Sequence, residues 1–306
     1  MQVPFVDADE LGRRLPMEAT IDALETAFRD GDPSVTPLRS HVDTPSGTLL
    51  LMPAVGETGV GVKLVTLTEA NPRRGLPLIH AIYALFDPET QAPRLLIDGS
   101  ALTALRTAAV SGLATRHLAR TDASRLVIFG AGAQASAHLQ AMAAVRPLRE
   151  LTVVSRTRAR AEELVEVATA MGIDATLGEP AAVGPADIVC TCSTATEPLF
   201  AGASLAAGAH VNAVGAYQPH TRELDSETVR RARVVVETRG AAMEEAGDLL
   251  IPIGEGLVSN DHIVADLQEV VRGARVRRGA DDITVFESVG LAFEDLAVAG
   301  ALAATM

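Results

Sequence analysis

Residues 125–145 read RLVIFGAGAQASAHLQAMAAV: an apolar run, a glycine-broken turn and an alanine-rich stretch with helical spacing. The run reads as a strand and the stretch as a helix, so the turn between them decides the fold. In G-x-G-x-x-A, Gly130 permits the tight turn, Gly132 lets a pyrophosphate approach the backbone, and Ala135 lets the helix pack closely on the strand. Free N–H groups at the helix start then face the phosphates. Glycine turns also join strands to helices without a ligand; the strand-turn-helix setting is what points to dinucleotide binding.

Downstream, LTVVS (151–155), DIVCTCS (187–193), HVNAVG (210–215) and RVVVET (233–238) are near-continuous apolar strands with helical stretches such as ARAEELVEVATAM between them. That alternation predicts a parallel sheet covered on both faces, an α/β dinucleotide-binding domain of the Rossmann type. The strand after the glycine turn ends in Ser155-Arg156-Thr157-Arg158, where an NAD-selective site carries an acidic residue for the ribose hydroxyl. Guanidinium groups and hydroxyls suit a 2′-phosphate, so NADP(H) is the preferred cofactor and NAD(H) the other candidate. The same arginines also fit a solvent-exposed helix start in an arginine-rich chain.

Upstream the pattern changes. MEATIDALETAFRD (17–30) has helical periodicity, and TLLLMPA, GVKLVTL and LIHAIYALFD are β-like runs separated by Ser46-Gly47 and the loop TEANPRRGLP (68–77). A mixed, mostly antiparallel sheet fits. TALRTAAVSGLATRHLA is a long helix, and the closing stretch DITVFESVGLAFEDLAVAGALAATM reads as a short strand or loop and a helix that packs back on the first domain. The expected division is 1–115 plus 284–306 for an α+β substrate-binding and dimerisation domain, with 116–283 inserted as the Rossmann domain and a cleft between the two.

Composition narrows the partners. The chain has 306 residues, 48% hydrophobic and 21% charged, with a net charge of -13, 3% aromatics and no Trp. An acidic chain without stacking residues lacks the footprint of a nucleic-acid binder. No apolar run is long enough to span a membrane, and MQVPFVDADE is not a signal peptide, so a cytoplasmic protein acting on small molecules is expected. Cys190 and Cys192 are too few and too close for a disulfide framework or a closed zinc site; buried thiols in a strand are expected, and no metal.

Of the 26 basic residues besides His, one is lysine: Lys63. In a chain that uses Arg for its surface cations, a retained lysine points to chemistry that needs a titratable ammonium, although a single leftover lysine is also a plausible product of coding bias. Arg39, Arg106 and the pair Arg73-Arg74 are the other cations of note in the first domain. Arg106 stands among small apolar neighbours, which suits a bidentate partner: a substrate carboxylate or an intramolecular ion pair.

The ordered set GVKLV…N, TALRTAAVSGLA, FGAGAQA, HVNAVGAY with QPHTRELD, EEAGDLLIP and TVFESVGLAFED resembles the ornithine cyclodeaminase and μ-crystallin family over about residues 39–300. The resemblance implies homodimers that act on amino acids or cyclic imino acids with a nicotinamide cofactor. It places Arg39, Lys63 and Arg106 in the substrate-carboxylate and catalytic cluster. It also assigns Ala133 and Gln134 to the pyrophosphate turn beside Gly130 and Gly132, and Ser155, Arg156 and Thr157 to the adenosine ribose. Ser193 falls at the end of the fourth strand, and Asn212, Ala213 and Val214 on the nicotinamide-side strand. Ser288 and Gly290 belong to the loop near the nicotinamide, with Val289 toward the substrate.

Two departures bear on the reaction. The resemblance to cyclodeaminases calls for a Glu in the strand before Met-Pro and an Asp after Val-Gly; this chain has Leu50 and Tyr217. A cyclodeaminase oxidises an amine, expels ammonia and returns the hydride, which requires acid/base groups to shuttle protons. A single reduction is therefore expected, as in the ketimine reductase and Δ1-pyrroline-2-carboxylate reductase branch: a cyclic imine bearing an α-carboxylate reduced to proline or pipecolate. His80 and Tyr217 are the candidate proton donors, against a core or solvated role for the histidine; His220 and Arg222 order the loop that follows Tyr217. The alternatives are ornithine cyclodeaminase, an alanine-dehydrogenase-like enzyme, and a non-catalytic NADP(H)-dependent binding protein.

Overall fold

The computed structural model describes residues 2–306. In chain order the elements are β1 (Phe5–Val6), α1 (Ala8–Arg14), α2 (Met17–Asp30), β2 (Ser40–Thr44), β3 (Gly47–Gly56), β4 (Gly59–Leu67), β5 (Ile79–Phe86), β6 (Pro93–Asp98) and α3 (Gly99–Leu118). There follow β7 (Arg125–Phe129), α4 (Ala133–Val145), β8 (Glu150–Val154), α5 (Arg158–Ala170), β9 (Asp174–Leu177), β10 (Ile188–Thr191) and β11 (His210–Ala213). The last are α6 (Ser226–Arg231), β12 (Ala232–Val236), α7 (Arg239–Glu245), α8 (Gly247–Gly254), β13 (Ile263–Asp266), α9 (Leu267–Val271), β14 (Ile283–Glu287) and α10 (Ala292–Ala303). Among the described residues no helix is long and apolar enough to cross a membrane.

The chain divides into two units, one running up to Arg106 and resuming at Leu291–Met306, the other Thr107–Gly290. The division falls inside α3, not at 115/116, because a 20-residue helix serves both units.

In the first unit six strands lie in the order β1-β6-β5-β4-β3-β2, antiparallel except for the β1/β6 pair. Side chains alternate across such a sheet. One face carries Leu50, Met52, Ala54, Val65, Tyr83 and Leu85, all buried, and α10 packs on β3, β4 and β5. The helix approaches closely because Gly300 has no Cβ; one built there would lie 2.6 Å from Thr58 Cβ. Phe293 of α10 meets Phe28 of α2 edge-on at 5.2 Å. The opposite face leaves Leu64 and Ile82 about 40% exposed, directly paired in register.

The second unit is an eight-stranded, wholly parallel sheet, β13-β12-β14-β11-β10-β7-β8-β9. The strand order reverses between β7 and β10, and open α/β sheets bind ligands at the carboxyl ends of the strands at such a reversal. β14 corrects the sequence reading, which gave residues from 284 onward to the first unit: it lies between β11 and β12 in the parallel sheet. All five of its residues are buried, and a run with no exposed face needs a neighbour on each side. Arg146 shows how the interior is closed without solvent. Its Nη2 donates to the carbonyls of Thr115, Arg116 and Ala119 at 2.7, 3.0 and 2.8 Å, gathering acceptors at the end of α3, where Thr115 also accepts from Ala119 N at 3.1 Å.

Candidate active site

In the first unit, Lys63 stands in the middle of β4 on the face covered by α10, 1% exposed. The β register places it between Met52 on β3 and Tyr83 on β5. Its Nζ donates to Asp295 Oδ1 at 3.0 Å and lies 2.8 Å from Oδ2. Arg106 reaches the same place from α3: Nη1 donates to Glu294 Oε2 at 2.8 Å and Nε to Asp295 Oδ1 at 3.2 Å. Arg39, just before β2, completes the group, close enough for its charge to act on Lys63. Burial lowers the Lys63 pKa from 10.5 to about 8; Asp295 opposes the shift while Arg106 and Arg39 add to it.

The structure thus brings together the three cations expected from the sequence, and it adds two carboxylates that the sequence reading passed over. Glu294 and Asp295 are both fully buried on α10. The signal was available: adjacent acids within AFEDLAVAGALA are as anomalous as Arg106 among alanines, and buried acids require cationic partners. For Arg106, of the two partners open from the sequence, the structure contains the intramolecular one.

Tyr83, directly opposite Lys63, is also new. Its hydroxyl is buried without a hydrogen-bond partner, held protonated by burial and by Asp295. Gly61 makes room for it, since a Cβ there would fall 1.8 Å from the hydroxyl oxygen. His80, three residues along β5, points to the opposite face and is exposed, so strand alternation removes it from the Lys63 group. Arg73 and Arg74 lie exposed on a short turn.

In the second unit the glycine turn is built as expected. Gly130 adopts φ +106°, and a Cβ there would lie 2.3 Å from the Cys192 carbonyl oxygen. Gly132 faces open space, and α4 starts at Ala133 and Gln134 with no side chain capping it. An uncapped helix start behind an open glycine is what a pyrophosphate requires, so the residues present fit a dinucleotide. A groove of about 320 Å³ lined by Gly132, Ala133, Ser136 and Arg160 adjoins it. Ser155 Oγ accepts from Thr157 N at 3.2 Å, and Arg156 and Thr157 are exposed at the end of β8.

Buried carboxylates hold the remaining turns at the carboxyl edge of the sheet. Glu223 accepts from Ser193 N and Oγ at 2.9 and 2.5 Å and from Gly215 N at 2.8 Å. Glu237 accepts from Ser288 Oγ, Val289 N and Gly290 N at 2.6, 3.1 and 2.7 Å. Ser193, Ser288, Val289 and Gly290 are therefore fixed from behind by acids whose importance the sequence did not advertise. Asn212 is fully buried on β11. Its amide nitrogen donates to Thr115 Oγ1 at 2.9 Å and its oxygen meets His210 Nε2 at 3.2 Å, so its side chain belongs to the interior. Ala213 gives its carbonyl to Ser288 N at 2.9 Å, Val214 is half-buried, and Tyr217 is half-buried on the loop beyond β11. His220 is exposed; Arg222 pairs with Glu255 at 3.4 Å. Burial raises both thiol pKa values, as suits structural cysteines. Among the described residues no group of His, Cys, Asp and Glu could hold a metal ion.

The family model described as the ornithine cyclodeaminase/mu-crystallin family matches residues 3–304. The chain is 37% identical over 310 residues to the Δ1-pyrroline-2-carboxylate reductase of Bacillus cereus, covering 96% of this chain and 94% of that one. The Thermococcus litoralis Δ1-pyrroline-2-carboxylate reductase, solved with NADH and L-proline, is 35% identical with a TM-score of 0.93, covering 99% and 97% of the two chains. An archaeal alanine dehydrogenase dimer with bound NAD is 29% identical with a TM-score of 0.93, covering 100% and 96%.

Proposed function

This chain belongs to the ornithine cyclodeaminase/mu-crystallin family, and from that premise we propose that it reduces Δ1-pyrroline-2-carboxylate, or its six-membered homologue Δ1-piperideine-2-carboxylate, to proline or pipecolate with NAD(P)H. The observation that carries the reading is the buried Lys63–Arg106 pair with the half-buried Arg39 close by, a group that contains the chain's only lysine. Leu50 supports a single reduction over cyclodeamination. It lies on the same buried sheet face as Lys63, where an apolar side chain can relay no proton.

When bound, the nicotinamide cofactor supplies the hydride. The Gly130–Gln134 turn would hold its pyrophosphate, and Ser155, Arg156 and Thr157 the adenosine ribose; Arg156, with no acid at the end of β8, favours NADP(H). Ser193 and Ser288 to Gly290 form turns whose backbone is fixed before any ligand arrives. Arg39 and Arg106 attract the substrate carboxylate. Lys63 gives a proton to the imine nitrogen as C2 becomes tetrahedral, a task suited to an ammonium whose pKa is lowered to about 8. A guanidinium could not do it.

We also propose a homodimer. The exposed, in-register Leu64 and Ile82 supply apolar surface on an otherwise uncovered sheet face. The similarity to the alanine dehydrogenase sustains a second reading, reversible amination of a 2-oxo acid. Following nicotinamide absorbance with each cyclic imine, with pyruvate and ammonia, and with ornithine separates the three. The reductase reading requires oxidation of NAD(P)H with a cyclic imine; proline and ammonia from ornithine without added reductant would overturn it.

A further inference from the structure

We propose that Asp295 is the positioning residue of the Lys63 site: fixed on α10, its carboxylate holds the ammonium in one place and in its charged form, so that Nζ carries a proton when the imine is reduced. The catalytic consequence rests on the reductase reading; the electrostatic relationship does not.

The surroundings of Lys63 are hostile to its charge. Met52 beside it on β3 is apolar, and Tyr83 on β5 is neutral. Arg106 on α3 and Arg39 before β2 repel it, and burial withdraws water. Against these stands α10, where Asp295 offers both oxygens within 3.0 Å. Glu294, one residue earlier, turns to Arg106 instead. The division of labour follows from helix geometry, because adjacent residues point in directions about 100° apart and reach different partners. Asp295 is shared between Lys63 and Arg106. It therefore sets the position of the proton donor relative to an arginine that attracts the carboxylate.

The lone lysine makes the test direct. Protein labelled with 15N only in lysine gives one side-chain nitrogen signal, which can be titrated without substrate. The wild type should titrate near the lowered value of about 8, and Asp295→Asn should move the midpoint down by about one pH unit or more. Glu294→Gln, which touches Arg106 and not Lys63, should move it less. An unchanged or raised midpoint in Asp295→Asn overturns the proposal. Should that variant fail to fold, the wild type decides. An ammonium gripped by a buried carboxylate shows protons in slow exchange with water, and one in rapid exchange contradicts the grip.

In turnover, a one-unit downward shift predicts about a fivefold loss of kcat near pH 8 and a smaller loss near pH 6, with NAD(P)H affinity unchanged. A merely structural role gives a loss that does not vary with pH. If the midpoint moves but no cyclic imine is reduced by the wild type, positioning stands and the reductase reading falls. If imines are reduced and the midpoint stays, the reverse holds.

Discussion

Lys63 Nζ and Asp295 Oδ2 lie 2.8 Å apart with neither side chain more than 2% exposed, joining residues 232 positions apart in sequence. A buried ion pair of this kind contributes little net stability, because desolvation offsets the attraction, and breaking one side is costly. Function is the better explanation for keeping it.

Lys63→Arg retains the charge and removes the titratable ammonium. A loss of kcat of about 100-fold or more is expected, within the range that general acid catalysis contributes. Cofactor binding, read by NAD(P)H fluorescence, should be retained.

The two glycines of the cofactor turn should separate. Gly130→Ala forces φ +106° on a residue with a Cβ and drives that Cβ against Cys192 O, so stability should fall by about 2 kcal/mol. Gly132→Ala meets nothing within 4 Å and should leave the melting temperature unchanged. It fills the phosphate approach, so titration should show the dissociation constant for NAD(P)H rising about tenfold or more.

These positions show what the sequence made legible. The parallel sheet and its glycine turn were readable because apolar runs and a G-x-G-x-x-A step are local signals. Helix Met17–Asp30 and strands β3 to β5 were readable by period. β14 was not, since a five-residue strand beside a helix has no periodicity that says which sheet it joins. Asp295, Glu294, Glu223 and Glu237 act through partners distant in the chain, and their spacing carries no trace of those partners. His80 was assigned from its neighbourhood in sequence, whereas the alternation of β5 sends it to the other face.

Glu287 is 2% exposed with neither oxygen hydrogen-bonded, and burial with Asp248, Glu223 and Glu237 nearby raises its pKa well above 4.5. Asp248 is raised likewise, to about 8. The folded state keeps a proton that the unfolded chain releases above about pH 4.3, so this group costs stability as pH rises from there toward its folded pKa. Glu287→Gln cannot ionise. Thermal unfolding should show it gaining stability relative to the wild type as pH rises from 4 toward 8, with the difference vanishing near pH 4.

Ile82→Asp places a charge on the exposed face of the first sheet, opposite Leu64. A charge buried without a partner at an interface is costly, so if the proposed dimer forms through this face, sedimentation should find the variant monomeric under conditions where the wild type sediments as a dimer. The monomer should melt as a folded protein.

Transfer of label tests the central claim most directly. With NAD(P)H deuterated at the transferable C4 position and Δ1-pyrroline-2-carboxylate as substrate, mass spectrometry should find proline carrying one deuterium at C2 for each cofactor oxidised. Proline without deuterium, or intact cofactor after prolonged incubation with every cyclic imine offered, would contradict the account.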